Sequence, residues 1–237
     1  MVKAQVPFEI WTGVLYETVK VMDLFEHGGL DMAATPDWRF EAVLEREGYS
    51  PLCGVDEVGR GPLAGPVVAA AVVLDPGYIP AGLNDSKKLS ERKREALYDL
   101  IHERAIAVSV ADASVAEIDE INILEASMLA MRRAVAGLPI TPAAALVDGN
   151  RAPGLEIHTR TLVKGDARSL SIAAASIVAK VFRDRLMKKL GENHPEYGWG
   201  SNAGYGVAKH MAALKLVGVS PYHRKTFAPI RQILNEE

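Results

Sequence analysis

The 237-residue chain holds a single cysteine, Cys53, which excludes an internal disulfide framework and a cysteine-cluster zinc site. Its position inside apolar sequence marks it as a small buried hydrophobe. No window of about 18 uncharged apolar residues occurs, and no basic-then-apolar leader, so the expectation is a cytoplasmic protein without a membrane span. The six histidines are scattered without ligand spacing, which leaves them as surface or core residues, His223 at most a structural hydrogen-bonder. Internal repeats and low-complexity tracts are absent. So is a net positive charge, the formal balance being −3. That deficit is uneven: residues 1–50 hold 4 Lys or Arg against 9 Asp or Glu, residues 51–163 hold 11 against 15, and residues 164–237 hold 12 against 6. The basic last third permits a phosphate-binding surface, although a charge run is more commonly a solvated face.

What is present is ordinary for a globular protein: 49% hydrophobic and 24% charged residues. At roughly 100–200 residues per domain the chain makes one ample domain, with or without an appendage. Residues 1–50 read as an N-terminal appendage. Ile10, Val14, Val19 and Met22 have helical spacing until His27-Gly28-Gly29 and Thr35-Pro36 break it. Met32 is an alternative start, with residues 1–31 expected to be loosely packed or disordered. A short amphipathic helix is expected over Trp38–Gly48.

The core is expected over residues 51–237, including a helical C-terminal part. Leu52–Val58 reads as a strand, and the valine-rich run Val67–Leu74 as one buried on both faces. Pro76-Gly77 is a turn, Ser90 an N-cap for a helix through His102, and Ala105–Ala113 a third strand. From Val115 the apolar spacing becomes helical, on Ile118, Ile121, Leu124, Met128, Met131 and Val135, and Gly137-Leu138-Pro139 ends it. Strands over residues 143–147 and 157–163 follow, then a long helix over 170–190, the loop YGWGSNAGYG and a last helix over 207–217. This order describes an α/β domain with a mixed sheet: an antiparallel three-strand meander, then strands joined by crossovers, with flanking helices.

Four carboxylates stand at or near strand ends: Asp56, Glu57, Asp148 and Asp166. Hard divalent cations take oxygen ligands, and two of them about 4 Å apart can serve both the attacking and the leaving oxygen of a phosphodiester. A lone strand-end aspartate is more often a turn former, so the weight lies in the set. Adjacent strand residues point to opposite faces, so Asp56 and Glu57 share a site only if the strand ends or twists there, a departure that Gly59 and Gly61 make cheap. Arg60 adds a fixed cation between those glycines.

The motifs VDEVGRGPLAGPVVAAAV, DSKKLS, EIDEINILEASMLAM, LVDGN, KGDA with SIAAASIVAKVFRD, NAGYG and HRKTF occur in this order between Pro51 and Phe227, most of the chain. In them the sequence resembles ribonuclease HII, the type 2 ribonuclease H. The resemblance implies a ribonuclease H-like fold and a metal-dependent endoribonuclease. Its substrates would be ribonucleotides embedded in duplex DNA and the RNA strand of RNA–DNA hybrids. It makes Asp56, Glu57, Asp148 and Asp166 the ligands of two Mg²⁺ or Mn²⁺ ions. Gly59, Arg60 and Gly61 become readers of the 2′-hydroxyl and scissile phosphate, and Tyr205 the ring that stacks on the adjoining deoxyribose. Lys87, Lys164, Ser171, Ser176, Lys180 and Arg183 become backbone-phosphate or supporting positions. From spacing alone Ser176, Lys180 and Arg183 share one helix face, for which a solvated face is an equal alternative. Asp184 reads as an ion-pair partner. The resemblance further implies a nucleic-acid partner, no membrane, a monomer and contact with replication proteins. Two other readings stay open: a type 3 ribonuclease H, and a non-catalytic nucleic-acid-binding module.

Overall fold

The computed structural model describes residues 35–236; the helical spacing of residues 7–25 and the alternative start at Met32 lie outside them. The segment after Trp38 folds as α1 (Arg39–Arg46), with Phe40, Val43 and Leu44 buried on the body. Beside them Glu41 is 0% exposed, and its Oε1 accepts from Ser169 Oγ (2.6 Å) and the Ser171 amide (2.8 Å).

Among the described residues five strands form one sheet in the order β3-β2-β1-β4-β5: β1 (Leu52–Val58), β2 (Val67–Val73), β3 (Ala107–Ala113), β4 (Ala144–Asp148) and β5 (His158–Leu162). The first three pair antiparallel and β4 and β5 parallel, as the pattern implies. The β2–β3 link is not a tight turn; it carries a 3₁₀ turn at Ser86–Lys88 and α2 (Glu91–Arg104), capped by the Ser90 hydroxyl. β2 is buried throughout because both faces are covered. Val67, Ala69, Ala71 and Val73 meet α3 (Val115–Ala136), while Val68, Ala70 and Val72 meet α2 and α4 (Leu170–Asn193).

The expected stripe along α3 is interrupted. Asn122 has φ +69° and its Oδ1 accepts the Leu124 and Glu125 amides, so the side chain caps a second helical segment after a kink. In α4 the run Ile172–Ala175 is buried, and its start lies so close to β1 that a Cβ at Gly54 would overlap the Ser171 backbone. Small residues here let the helix approach the sheet. After α4 a single helical turn at Trp199–Asn202, α5 (Ala208–Val217) and α6 (Ala228–Glu236) pack around Leu63, Met187, Tyr197, Trp199 and Ile230. α6 lies beyond the expected last helix; its apolar positions are too few to stand out before Ile230 is seen inside this cluster. Among the described residues no helix is long and apolar enough to cross a membrane.

Candidate active site

The strand-neighbour difficulty is met on one side only. β1 stays paired to β2 through Asp56↔Ala70, Glu57↔Ala69 and Val58↔Val68. Its pairing to β4 stops at Val55↔Val147, one residue before Asp56 and one before Asp148. The two aspartates are therefore neighbours just past the last paired residues, where parallel strands open toward their carboxyl ends. Asp166 arrives on the 3₁₀ turn Gly165–Ala167 that follows β5. That turn is tied to β4 by the Gly165 amide, which donates to Asp148 Oδ1 at 2.6 Å.

The acids perturb one another. Asp56 is buried, and its carboxyl is pushed well above the usual range by burial first, then by the charges of Glu57, Asp148 and Asp166, with the Ser176 hydroxyl acting in the opposite direction. Burial also raises Glu57, further raised by Asp148 and moderated by Arg60, whose Nη1 stands 3.3 Å from Glu57 Oε1. Asp148 is raised by burial, against its backbone hydrogen bonds and Lys87. Asp166 is lifted to about 6 by burial and then by Asp148 and Asp85. A carboxylate cluster raised by desolvation and like charge is what an oxygen-liganded cation relieves. Among the described residues no three His, Cys, Asp or Glu side chains form a ready-made ion cage. Asp56 Oδ1 accepts the Glu57 amide (2.7 Å), Asp148 holds Gly165 and Glu57 faces Arg60. The donor chemistry fits Mg²⁺ or Mn²⁺ nonetheless, being all carboxylate oxygen.

The surrounding residues divide. Lys87 acts on Asp148 and Asp166, and Ser176 Oγ lies in hydrogen-bond contact with Ser86 Oγ (3.0 Å) beside Asp56, so the DSKKLS segment reaches the acids. Lys164 is exposed and in the left-handed region (φ +56°), two residues before Asp166. Lys180 points to Asp184 (2.7 Å), which Arg94 also approaches at 3.9 Å, so Asp184 is the expected ion-pair partner. Gly61 faces Tyr205: a Cβ on Gly61 would lie 3.4 Å from the tyrosine Cε1, and the ring is 47% exposed. Arg183 does not line this surface. At 1% exposure its guanidinium is enclosed, donating to the carbonyls of Pro66 (3.0 Å), Ala203 (3.0 Å) and Ala64 (3.2 Å), so of the two places expected for it, phosphate contact or supporting position, the first is corrected. The helix face it shares with Lys180 turns under the loop at that point.

Three residues passed over in the sequence belong here. Asp85 lies beside Asp166 and raises it. Arg224, fully buried, donates to the carbonyls of Gly65 (2.9 Å), Arg60 (2.9 Å) and Gly59 (2.6 Å). His210 Nδ1 bonds the Tyr205 carbonyl at 2.9 Å. Asp85 was hidden by its two lysine neighbours, and nothing local separates Arg224 in HRKTF from a surface cation.

A family model described as ribonuclease HII matches residues 53–230. A protein of Ruegeria pomeroyi named ribonuclease HII is 59% identical over 203 residues, covering 85% of this chain and 86% of its own. The crystal structure of ribonuclease H2 from Pyrococcus horikoshii OT3 is similar with a TM-score of 0.67 at 30% identity, covering 78% of this chain and 97% of that one. The ribonuclease HII of Archaeoglobus fulgidus, solved in complex with PCNA, is similar with a TM-score of 0.60 at 26% identity, over 74% and 94% of the two chains. With the matched segment containing the whole carboxylate cluster, the glycine-arginine-glycine loop and Tyr205, this chain belongs to the ribonuclease HII family, hydrolases that cleave RNA held in a duplex with DNA.

Proposed function

We propose that this chain cuts the phosphodiester on the 5′ side of ribonucleotides embedded in duplex DNA, and the RNA strand of RNA–DNA hybrids, leaving a 5′-phosphate. Asp56, Glu57, Asp148 and Asp166 would hold two divalent ions, Mg²⁺ or Mn²⁺. Such ions supply Lewis acidity and a nucleophilic water at neutral pH. The observation that supports the reading is the convergence of four carboxylates at the open ends of β1 and β4, with each acid raised in part by another's charge or by burial. Uncompensated, such a cluster repels phosphate, so a binding-only module has no use for it.

The remaining residues orient the strand. Arg60, half-exposed beside Glu57, offers a fork of donors to the scissile phosphate, and Gly59 and Gly61 allow backbone to approach the sugar. A hydroxyl that donates and accepts is what separates ribose from deoxyribose. Tyr205, across from Gly61, packs on the following sugar, where a second 2′-hydroxyl crowds the ring. Lys87, Lys164 and Lys180 stand as cations for neighbouring phosphates, and Ser176 supports Asp56. The PCNA complex of the Archaeoglobus relative favours a contact with replication proteins.

The test is incision of a labelled duplex carrying one ribonucleotide. Cleavage 5′ to the ribose with Mg²⁺ or Mn²⁺, abolished by chelation, supports the proposal, and metal-independent cleavage or none at all refutes it.

A further inference from the structure

Under the loop from Gly59 to Pro66 lie two arginines that nothing in the chemistry above employs. Arg224 grips the carbonyls of Gly59, Arg60 and Gly65, and Arg183 those of Ala64 and Pro66 together with Ala203, two residues before Tyr205. The two guanidinium groups thus hold five of the loop's eight carbonyls from below and tie the loop to the tyrosine's turn. Backbone bonds reinforce the tie: Leu63 N donates to Gly204 O (2.8 Å) and Arg224 N to Leu63 O (2.9 Å).

The fit leaves no slack. Gly59 has φ +97°, and a Cβ there would overlap the Arg183 guanidinium. Gly204, at φ +86°, would bring a Cβ to 2.5 Å from the Ala64 carbonyl oxygen. Tyr205 is fixed from its other side as well. Its carbonyl accepts from His210 Nδ1, and His210 Nε2 lies 2.9 Å from His223 Nε2. Because His223 Nδ1 accepts the Ser220 amide (3.0 Å), the His223 proton sits on Nε2 and is given to His210 Nε2, which leaves the His210 proton on Nδ1 facing Tyr205.

This arrangement is costly. Among the described residues no carboxylate forms an ion pair with either arginine. Burial lowers Arg183 to about 10 and Arg224, with Arg183's charge added, to about 9. Apolar side chains would fill the same space without taking two like charges out of water. What they could not supply is a planar fork with five N–H donors, able to hold several carbonyls at fixed angles.

We propose that Arg183 and Arg224 are positioning residues that set the separation of the Gly59-Arg60-Gly61 loop from Tyr205, and through it the discrimination of ribose from deoxyribose. The inference rests on the ribose reading proposed above. A lysine in place of Arg224 keeps the charge but reaches fewer carbonyls, so the loop shifts against the tyrosine.

The test compares turnover on two Mg²⁺-containing reactions, one with a duplex carrying a single ribonucleotide and one with a 2′-deoxy-2′-fluoro nucleotide at the same position. The ratio of the two rates does not depend on how much of the enzyme is folded. In Arg224→Lys the ribonucleotide rate is expected to fall by about 10- to 100-fold, the size of a displacement near 1 Å, and the ratio to narrow, with affinity for all-DNA duplex unchanged. If Arg224→Lys shows no cooperative melting, Arg183→Lys is measured in its place with the same expectation. A folded variant whose ratio equals that of the unmodified enzyme overturns the positioning role. An unmodified enzyme that cuts both duplexes equally overturns the ribose reading itself, before any variant is compared.

Discussion

Replacing Glu41 by glutamine is expected to stabilise the protein above pH 7 and to do little below pH 5. Glu41 is enclosed where α1 meets the start of α4; Oε1 accepts two hydrogen bonds, but Oε2 has no partner among the described residues. Burial outweighs those bonds and lifts the carboxyl from 4.5 to about 7. The sign follows from proton counts. Between those two values the folded state keeps a proton that the unfolded chain releases, so stability falls as pH rises through the window and levels off above about 7. The gap between 4.5 and about 7, at about 1.36 kcal/mol per pH unit, amounts to about 3 kcal/mol, most of it between pH 5 and 8. Glutamine resembles the protonated acid and cannot ionise, so it removes that loss. Urea or thermal unfolding of both proteins at pH 5 and pH 8 isolates the effect from the active-site acids, which titrate equally in each. The gain of the variant should be about 2–3 kcal/mol larger at pH 8 than at pH 5, or roughly 5–10 °C in Tm for a domain of this size. Equal differences at the two pH values would refute the assignment of a buried, neutral Glu41.

Asp56→Asn or Asp148→Asn should reduce incision by more than about 100-fold, since even residues one step removed from a bound metal commonly cost 10- to 100-fold; duplex affinity should hold, and Tm in a chelator should stay level or rise as repulsion is relieved. Near-normal turnover at saturating Mg²⁺ would remove either residue from the metal set. Tyr205→Ala should lower incision at a single ribonucleotide by about tenfold while Tyr205→Phe stays within about threefold, because packing on a sugar uses the ring; equal losses in both would point to the hydroxyl instead. Gly54→Ala should cost at least about 3 kcal/mol in unfolding experiments, because its Cβ meets backbone of Ser171 that no rotamer change can move. A loss below about 1 kcal/mol would show that α4 can lift off β1.

The fold was legible where local pattern and burial coincide. β1 and β2 begin at the residues the apolar runs indicate, and α2 starts after Ser90 because its hydroxyl supplies a cap that the sequence displays. The apolar spacing of α3 continues across Asn122 and so indicates one stripe, while that residue's own side chain ends one segment and starts the next. The carboxylates were legible as strand-end acids, but their adjacency was decided by register: β1 and β4 stop pairing with each other at Val55 and Val147, which sets Asp148 beside Asp56. Glu41 shows the same limit, since nothing in the sequence indicates that it would lie against Ser169, more than a hundred residues away. Arg183 and Arg224 make the difference plainest. The resemblance places Arg183 at a backbone-phosphate or supporting position and leaves Arg224 undistinguished within HRKTF, since the charge of a side chain does not say whether phosphate or carbonyl oxygen will meet it. Only the tertiary structure, by folding the Gly59–Pro66 loop over both guanidinium groups, decided that they hold the protein's own backbone.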